Sequence, residues 1–179
     1  MGIVSNRGSS ADYDDDMKRA KAAGIDAFAL NIGTDDFADD QLGYAYESAA
    51  NNEMKVFISF DFNWFSPDDA ATVGSKIANF GVKDGQLMVD DKVFVSTFAG
   101  DGLNVQAVRD AASGVELYFA PNFAASGDVA SVDAAFNWIG WPNNGKNKAP
   151  NGDGAFSVAQ GDEAYAAALT EGQAYMARG

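Results

Sequence analysis

Two spacings of apolar residues alternate along the chain. Short unbroken apolar runs recur, and between them lie stretches whose apolar residues stand three or four apart. The first spacing predicts strands buried on both faces, the second predicts amphipathic helices. Gly2 to Ser5 reads as a short first strand. Ser9 or Ser10 then caps a helix with Tyr13, Met17 and Ala20 on its inner face, closed by Gly24. Ile25 to Ile32 is the second strand. Asp39 and Asp40 open a helix that turns Leu42, Ala45, Tyr46 and Ala49 inward. Val56 to Phe60 is the third strand, an apolar run that ends in Asp61, Asn63 and Trp64. Ser66-Pro67-Asp68-Asp69 starts the next helix with a cap, a proline in the first turn and two acids. Its apolar positions are Val73, Ile77 and Ala78.

The stretch Gln86 to Thr97 breaks the rhythm. Asp90-Asp91 between two short apolar arms predicts a hairpin, whose second arm continues as the fourth strand to Thr97. Val105, Val108 and Ala112 face inward on the following helix. Glu116 to Ala120 is the fifth strand, ending in Pro121-Asn122. A short helix is expected around Val129 to Ala134, a sixth strand over Ala135 to Trp138, and a last helix from Asp162 to Thr170. Ala174 to Ala177 opens a seventh strand. Without a G-x-G-x-x-G after the first strand a dinucleotide-binding fold has no support, and uniform β-α repetition favours an α/β architecture of the (β/α)8 barrel type. A full barrel takes about 250 residues. The 179 residues here supply about six units. The expectation is therefore one incomplete barrel domain over residues 1–179, with a β-hairpin inserted before the fourth strand. An initiator methionine lying almost inside a strand adds the expectation that residues precede it, and no signal peptide is visible.

Composition narrows the chemistry. The chain has no histidine and no cysteine. That removes a Ser-His-Asp triad, histidine or thiolate metal sites and disulfides together. Acid-base work is left to carboxylates, tyrosines or lysines. Twelve basic against 26 acidic residues give a net charge of −14, which repels nucleic acid and anionic lipid and is compatible with a neutral substrate. No apolar run approaches the roughly 20 residues that span a bilayer. Asp12, Asp14, Asp15 and Asp16 resemble a cation site, but consecutive helical residues point about 100° apart and do not converge on one ion.

The polar residues at strand carboxyl ends are the candidates for function, because ligands of parallel α/β folds bind there. They are Asn31, Asp61, Asn63, Thr97, Asp101 and Asn122, with Trp64, Phe98, Phe123, Trp138 and Trp141 among them. Carboxylates and amides hydrogen-bond hydroxyls, and indoles stack on the C–H faces of pyranose rings, so this mixture suits a sugar chain. Taken singly, each aromatic is as well explained by packing. Two strand-terminal acids in equivalent places, Asp61 and Asp101, favour a site. Sequence does not give the separation between carboxylates on which glycosidase chemistry depends.

The strings IDAFALNIGTDD, LGYAYESAA, KVFISFDFNW, VFVSTFAGD and NWIGWPNNGKNKAP resemble glycoside hydrolase family 71, the fungal α-1,3-glucanases or mutanases. The resemblance runs in order along nearly the whole chain. It implies a secreted, inverting glycosidase on a (β/α)8 barrel with an accessory β region, acting on α-1,3-glucan of fungal walls without a cofactor. Members of the family carry residues before the first strand. They continue past a segment like Gln173 to Ala177 into a Pro-Val-Ser-Pro-Trp stretch. A later Trp-Asn-Asp-Tyr-Gly-Glu-Ser stretch supplies the expected catalytic Asp and Glu. Arg178 and Gly179 end this chain first, so no catalytic residue is assigned within it. Asn31, Asp61, Asp101, Trp138 and Trp141 match strand-end positions and carry over as site-lining residues, and Trp64 and Asn122 join them as substrate-binding candidates from their own positions. The resemblance thus describes the N-terminal part of a glucanase whose partners are the polysaccharide and the remainder of the barrel. The competing reading is a non-catalytic glucan-binding module. A metal-dependent hydrolase is a weaker third, given the absence of histidine.

Overall fold

The computed structural model describes residues 1–3, 5–139 and 157–177. Its elements alternate along the chain: α1 (Ala11–Ala22), β1 (Ala27–Ile32), α2 (Ala38–Asn51), β2 (Lys55–Asp61), a 3-10 turn over Pro67–Asp69, α3 (Ala70–Phe80), β3 (Met88–Val89), β4 (Lys92–Phe98), α4 (Val105–Ala111), β5 (Leu117–Pro121), β6 (Ala134–Asn137), α5 (Val158–Ala168) and β7 (Ala174–Ala177). The local signals act as their chemistry requires. Ser66 Oγ accepts from Asp68 N–H while Asp69 Oδ2 accepts from Ser66 N–H, a reciprocal cap that starts α3. Asp90 and Asp91 both take left-handed backbone, with φ of 50° and 60°, and close the two-residue turn between β3 and β4.

Four expectations need correction. The first strand is reduced, in the described residues, to a single parallel bridge of Gly2 with Asn31, held by Ile3 N–H to Asn31 O and Asn31 N–H to Met1 O. The side chain of Ser10 does not cap α1; Asp12 Oδ2 does the work instead, accepting from the N–H groups of Gly8 at 2.7 Å and Ser9 at 3.1 Å. No helix forms around Val129 to Ala134. That stretch turns instead, because Asp133 is captured by Phe119 and Arg109. The last helix also begins earlier than expected, where Ser157 Oγ accepts from Gln160 N–H.

Apart from the antiparallel hairpin of β3 and β4, strands pair in parallel and in chain order. β1 lies on β2, β2 on β4 and β4 on β5, while β6 and β7 form a parallel pair of their own. The hairpin's first arm wedges between β2 and β4 at their starts, where Val56 bridges Gln86; from Ser59 onward β2 pairs directly with β4. Asp133 joins the two sheets. Its N–H donates to Phe119 O, its O accepts from Ala174 N–H, and its Oδ2 accepts from Phe119 N–H at 2.9 Å and Arg109 Nη2 at 2.7 Å.

The two faces of the sheet differ. Leu30, Ile32, Val56, Ile58, Phe60, Val93, Val95, Leu117 and Phe119 bury against α1 to α4, and residues near the end of α5 join the same core. β2, the central strand, is buried on both faces, whereas β1 is only half buried because its far side meets just the Gly2 bridge. The opposite face carries no helix in its core: Phe57, Phe94, Ala120 and Ala134 cluster there with Ala27, Ala29, Tyr118, Phe136 and the hairpin's Leu87 and Val89. Aromatic rings dominate it, with Phe57 edge-on to Phe94 at 4.7 Å and Phe94 stacked on Tyr118 at 5.8 Å. This helix-free side is the inner face. All the helices lie on one side of a parallel sheet in sequential order, so the described chain is a singly wound α/β sheet.

Candidate functional site: a polar cavity at the carboxyl ends of the strands

Pleating points alternate residues to the inner face. In register across three strands, Asn31 stands beside Ser59 and Ser59 beside Ser96; one step up, Asp61 stands beside Phe98. The inner face therefore changes character toward its carboxyl end, from Phe57 and Phe94 to amide, hydroxyl and carboxylate. Above these rows is a cavity of about 280 Å³ lined by Met1, Gly2, Asn31, Asp61, Phe98 and Trp138. Larger hollows occur on the helical surface, one of 490 Å³ beside α1 and one of 560 Å³ along α2. In the first of these Arg7 and Asp16 pair with each other at 2.7 Å, so their charges are already answered.

The inner-face cavity differs in having polar groups to spare. Trp138 Nε1 is buried without a hydrogen-bond partner, and so is Ser59 Oγ. Asn31, which lines the cavity, is half-buried. Buried polar groups are normally paired, at a cost of about 1–3 kcal/mol each when they are not. Asp61 adds a carboxylate whose Oδ1 accepts from Asn63 N–H at 2.9 Å, which fixes the turn after β2.

The two described tryptophans are used differently. The ring of Trp138 is wedged between Phe98, edge-on at 5.6 Å, and Phe136 at 5.5 Å, and its Nε1 is buried. Trp64 is 70% exposed. Its indole lies against Gly33, where an added Cβ would come within 3.2 Å of the ring, and Asp35 stands at the same glycine. The glycine lets the ring lie down at the rim with its outer face open.

Asp101 and Asn122 do not line the cavity. Asp101 is exposed, and its Oδ1 accepts from Ala124 N–H at 2.9 Å. Asn122 is fully buried and its Oδ1 accepts from Ala99 N–H at 3.3 Å. Trp141 lies outside the described residues. So the structure brings Asn31, Asp61 and Trp138 together, sets Trp64 at the rim, and commits Asp101 and Asn122 to contacts within the protein. Ser59 escaped the sequence reading because it sits inside an apolar run, although its place two residues before Asp61 puts it on the same face.

Buried tyrosines are kept protonated near neutrality. Burial holds the phenols of Tyr46 and Tyr165 far above their ordinary value, and burial followed by the hydrogen bond to Asp162 pushes Tyr175 up to about 12. Among the described residues no group of acidic side chains is arranged to hold a metal ion. Asp61 is the one carboxylate among the residues lining the cavity.

Comparison with known proteins decides the family. The model of Glycosyl hydrolase family 71 matches residues 1–178. The chain belongs to that family. Among curated family 71 relatives, a mutanase of Penicillium rubens is 35% identical over 153 residues, 82% of this chain and 34% of the relative. A glucan endo-1,3-alpha-glucosidase of Schizosaccharomyces pombe is 34% identical over 161 residues, 80% of this chain and 38% of the relative. An ascus wall endo-1,3-alpha-glucanase of the same yeast is 24% identical over 163 residues, 79% of this chain and 37% of the relative. This family 71 chain thus spans little more than a third of the length of the curated relatives it matches. No solved structure matches it. No helix among its described residues is long and apolar enough to cross a membrane.

Proposed function

We propose that this family 71 chain forms the glucan-binding part of an extracellular α-1,3-glucan hydrolase, with the cavity at Asn31, Asp61 and Trp138 seating one glucose ring. The observation that carries the reading is the gathering of Asn31, Asp61 and Trp138 around one cavity at the carboxyl ends of parallel strands, with two buried polar atoms, Trp138 Nε1 and Ser59 Oγ, that have no partner among the described residues. A neutral polysaccharide suits a chain of net charge −14. Donors and acceptors in mixed array suit the hydroxyls of a sugar, and Trp64 offers an open ring face for the next residue of the chain. The relative named as glucan endo-1,3-alpha-glucosidase supports the α-1,3 linkage in this reading.

Sequential parallel strands with every helix on one side are the geometry of a (β/α)8 barrel before closure, since doubly wound sheets put helices on both faces. In this reading the inner aromatic face is barrel interior and the rest of the barrel is its partner. Hydrolysis of a glycosidic bond takes two carboxylates, one protonating the leaving oxygen and one activating water in an inverting enzyme, at about 6.5–9.5 Å from each other. Asp61 is read here as a sugar-binding group, and no residue of this chain is assigned to the catalytic pair. No cofactor enters.

Two assays test this. The purified chain is retained on insoluble α-1,3-glucan but not on an α-1,4-glucan, and it releases no reducing sugar from either. Asp61→Ala weakens retention by about 10- to 100-fold, the range of one hydrogen bond to a charged group. Equal retention on both polymers, or none, contradicts the binding assignment. Release of reducing sugar, lost in Asp61→Asn, would move the catalytic role to β2 itself.

A further inference from the structure

We infer that Thr97 and Asn122 act on the sugar site as positioning residues, by clasping the loop after β4 so that Phe98 is presented to the cavity. The inference rests on the reading of the cavity as a glucan site and assigns a role to two residues that never reach it.

Ala99 is the key. It has φ of 55°, left-handed backbone that costs an alanine about 1 kcal/mol or more and that non-glycine residues keep only when their surroundings hold them there. The hold is specific. Thr97 Oγ1 donates to Ala99 O at 2.6 Å, and Asn122 Oδ1 accepts from Ala99 N–H at 3.3 Å, so both polar groups of the strained peptide unit are taken. Asn122 N–H then donates to Thr97 Oγ1 at 3.2 Å, joining the two clasping residues across β4 and β5. Thr97 and Asn122 are both fully buried. A second tie lies further out, where Asp101 Oδ1 accepts from Ala124 N–H.

The residue just before the clasp is Phe98. Phe98 lines the cavity and its ring meets Trp138, another lining residue, edge-on at 5.6 Å. Releasing Ala99 lets the backbone relax to right-handed or extended φ, and the first side chain to move is Phe98. The sugar site would lose its shaped wall without losing any group that touches the ligand.

The test compares Thr97→Val, which keeps shape and deletes the hydroxyl, with Thr97→Ser, which keeps the hydroxyl. Affinity for a soluble α-1,3-linked glucose oligomer is measured well below the melting temperature of each chain. Thr97→Val is expected to lose about five- to tenfold, and Thr97→Ser to stay within about twofold of the native chain. Exchange of the Ala99 amide hydrogen should accelerate in Thr97→Val. A folded Thr97→Val chain that binds like the native one overturns the inference. If that variant fails to fold, native Ala99 decides: a protected amide supports the clasp, and exchange at the rate of an open chain overturns it. If the native chain binds no sugar, the glucan reading fails by itself. The clasp is then judged from the ring contacts of Phe98 with Trp138 by NMR in Thr97→Val, where loss supports it and retention overturns it.

Discussion

Asp133→Ala lowers the melting temperature of the chain by about 6–12 °C, the equivalent of about 3 kcal/mol for a domain of this size. The reason is that one side chain serves two charged hydrogen bonds at the join of the two sheets. Its Oδ2 receives Phe119 N–H and Arg109 Nη2, both partly shielded from water. Bonds to charged groups contribute about 1.5–3 kcal/mol each, and partial exposure of this pair argues for the lower part of the summed range. Removing the carboxylate also strands the Arg109 guanidinium beside Leu117 O, its remaining partner. The backbone bonds of Asp133 to Phe119 and Ala174 survive the substitution, so the expected outcome is a weakened join and not a changed fold. Thermal unfolding followed by circular dichroism reads the shift. A loss under about 2 °C would mean that β6 and β7 are held to β5 by packing and backbone hydrogen bonds, without help from the Asp133 carboxylate.

Gly74→Ala destabilises by about 2 kcal/mol although alanine is the better helix former. Gly74 lies in α3, and a Cβ there would come within 2.4 Å of Val108 O and 2.6 Å of Ala111 Cβ on α4. The nearest atom is backbone, which cannot swing aside, so the two helices must separate. Overpacking of this kind costs about 1–3 kcal/mol and often more when backbone is hit, against a gain of about 1 kcal/mol in propensity. Gly43, inside α2, is the control, because a Cβ there meets nothing within 4 Å. Gly43→Ala should therefore stabilise by about 0.5–1 kcal/mol. Denaturant melts of the two variants with opposite signs would confirm that approach of α3 to α4, and not helix propensity, selects the glycine. Two shifts of the same sign would contradict it.

Much of the architecture was legible because local chemistry and tertiary packing agree in it. The run Val56 to Phe60 is a strand because it is buried on both faces, and the Ser66-Pro67-Asp68-Asp69 cap and the Asp90-Asp91 turn carry their geometry in their own residues. The failures fall where a distant partner decides. Nothing within residues 129–134 says that Asp133 will be taken by Phe119 and Arg109, so a helix was expected where a turn forms. The same limit governs the site. All the candidate polar residues sit at strand ends, as the sequence reading placed them. Which of them face the cavity depends on partners on other strands: Asn122 Oδ1 is taken by Ala99 N–H and Asp101 Oδ1 by Ala124 N–H, whereas Asn31, Asp61 and Trp138 line the cavity.

The central claim is that the unspent groups of the inner-face cavity contact an α-1,3-linked glucan. It is tested most directly by titrating the chain with a soluble α-1,3-linked glucose oligomer while following the indole N–H resonances, of which three tryptophans give three. The account predicts that the Trp138 indole N–H moves progressively and saturably as it gains an oxygen partner, that the Trp64 resonance shifts as a ring stacks on it, and that Asp61→Ala weakens both responses. A spectrum in which the folded chain shows no movement of Trp138 at saturating oligomer, or moves identically with an α-1,4-linked oligomer, would contradict it.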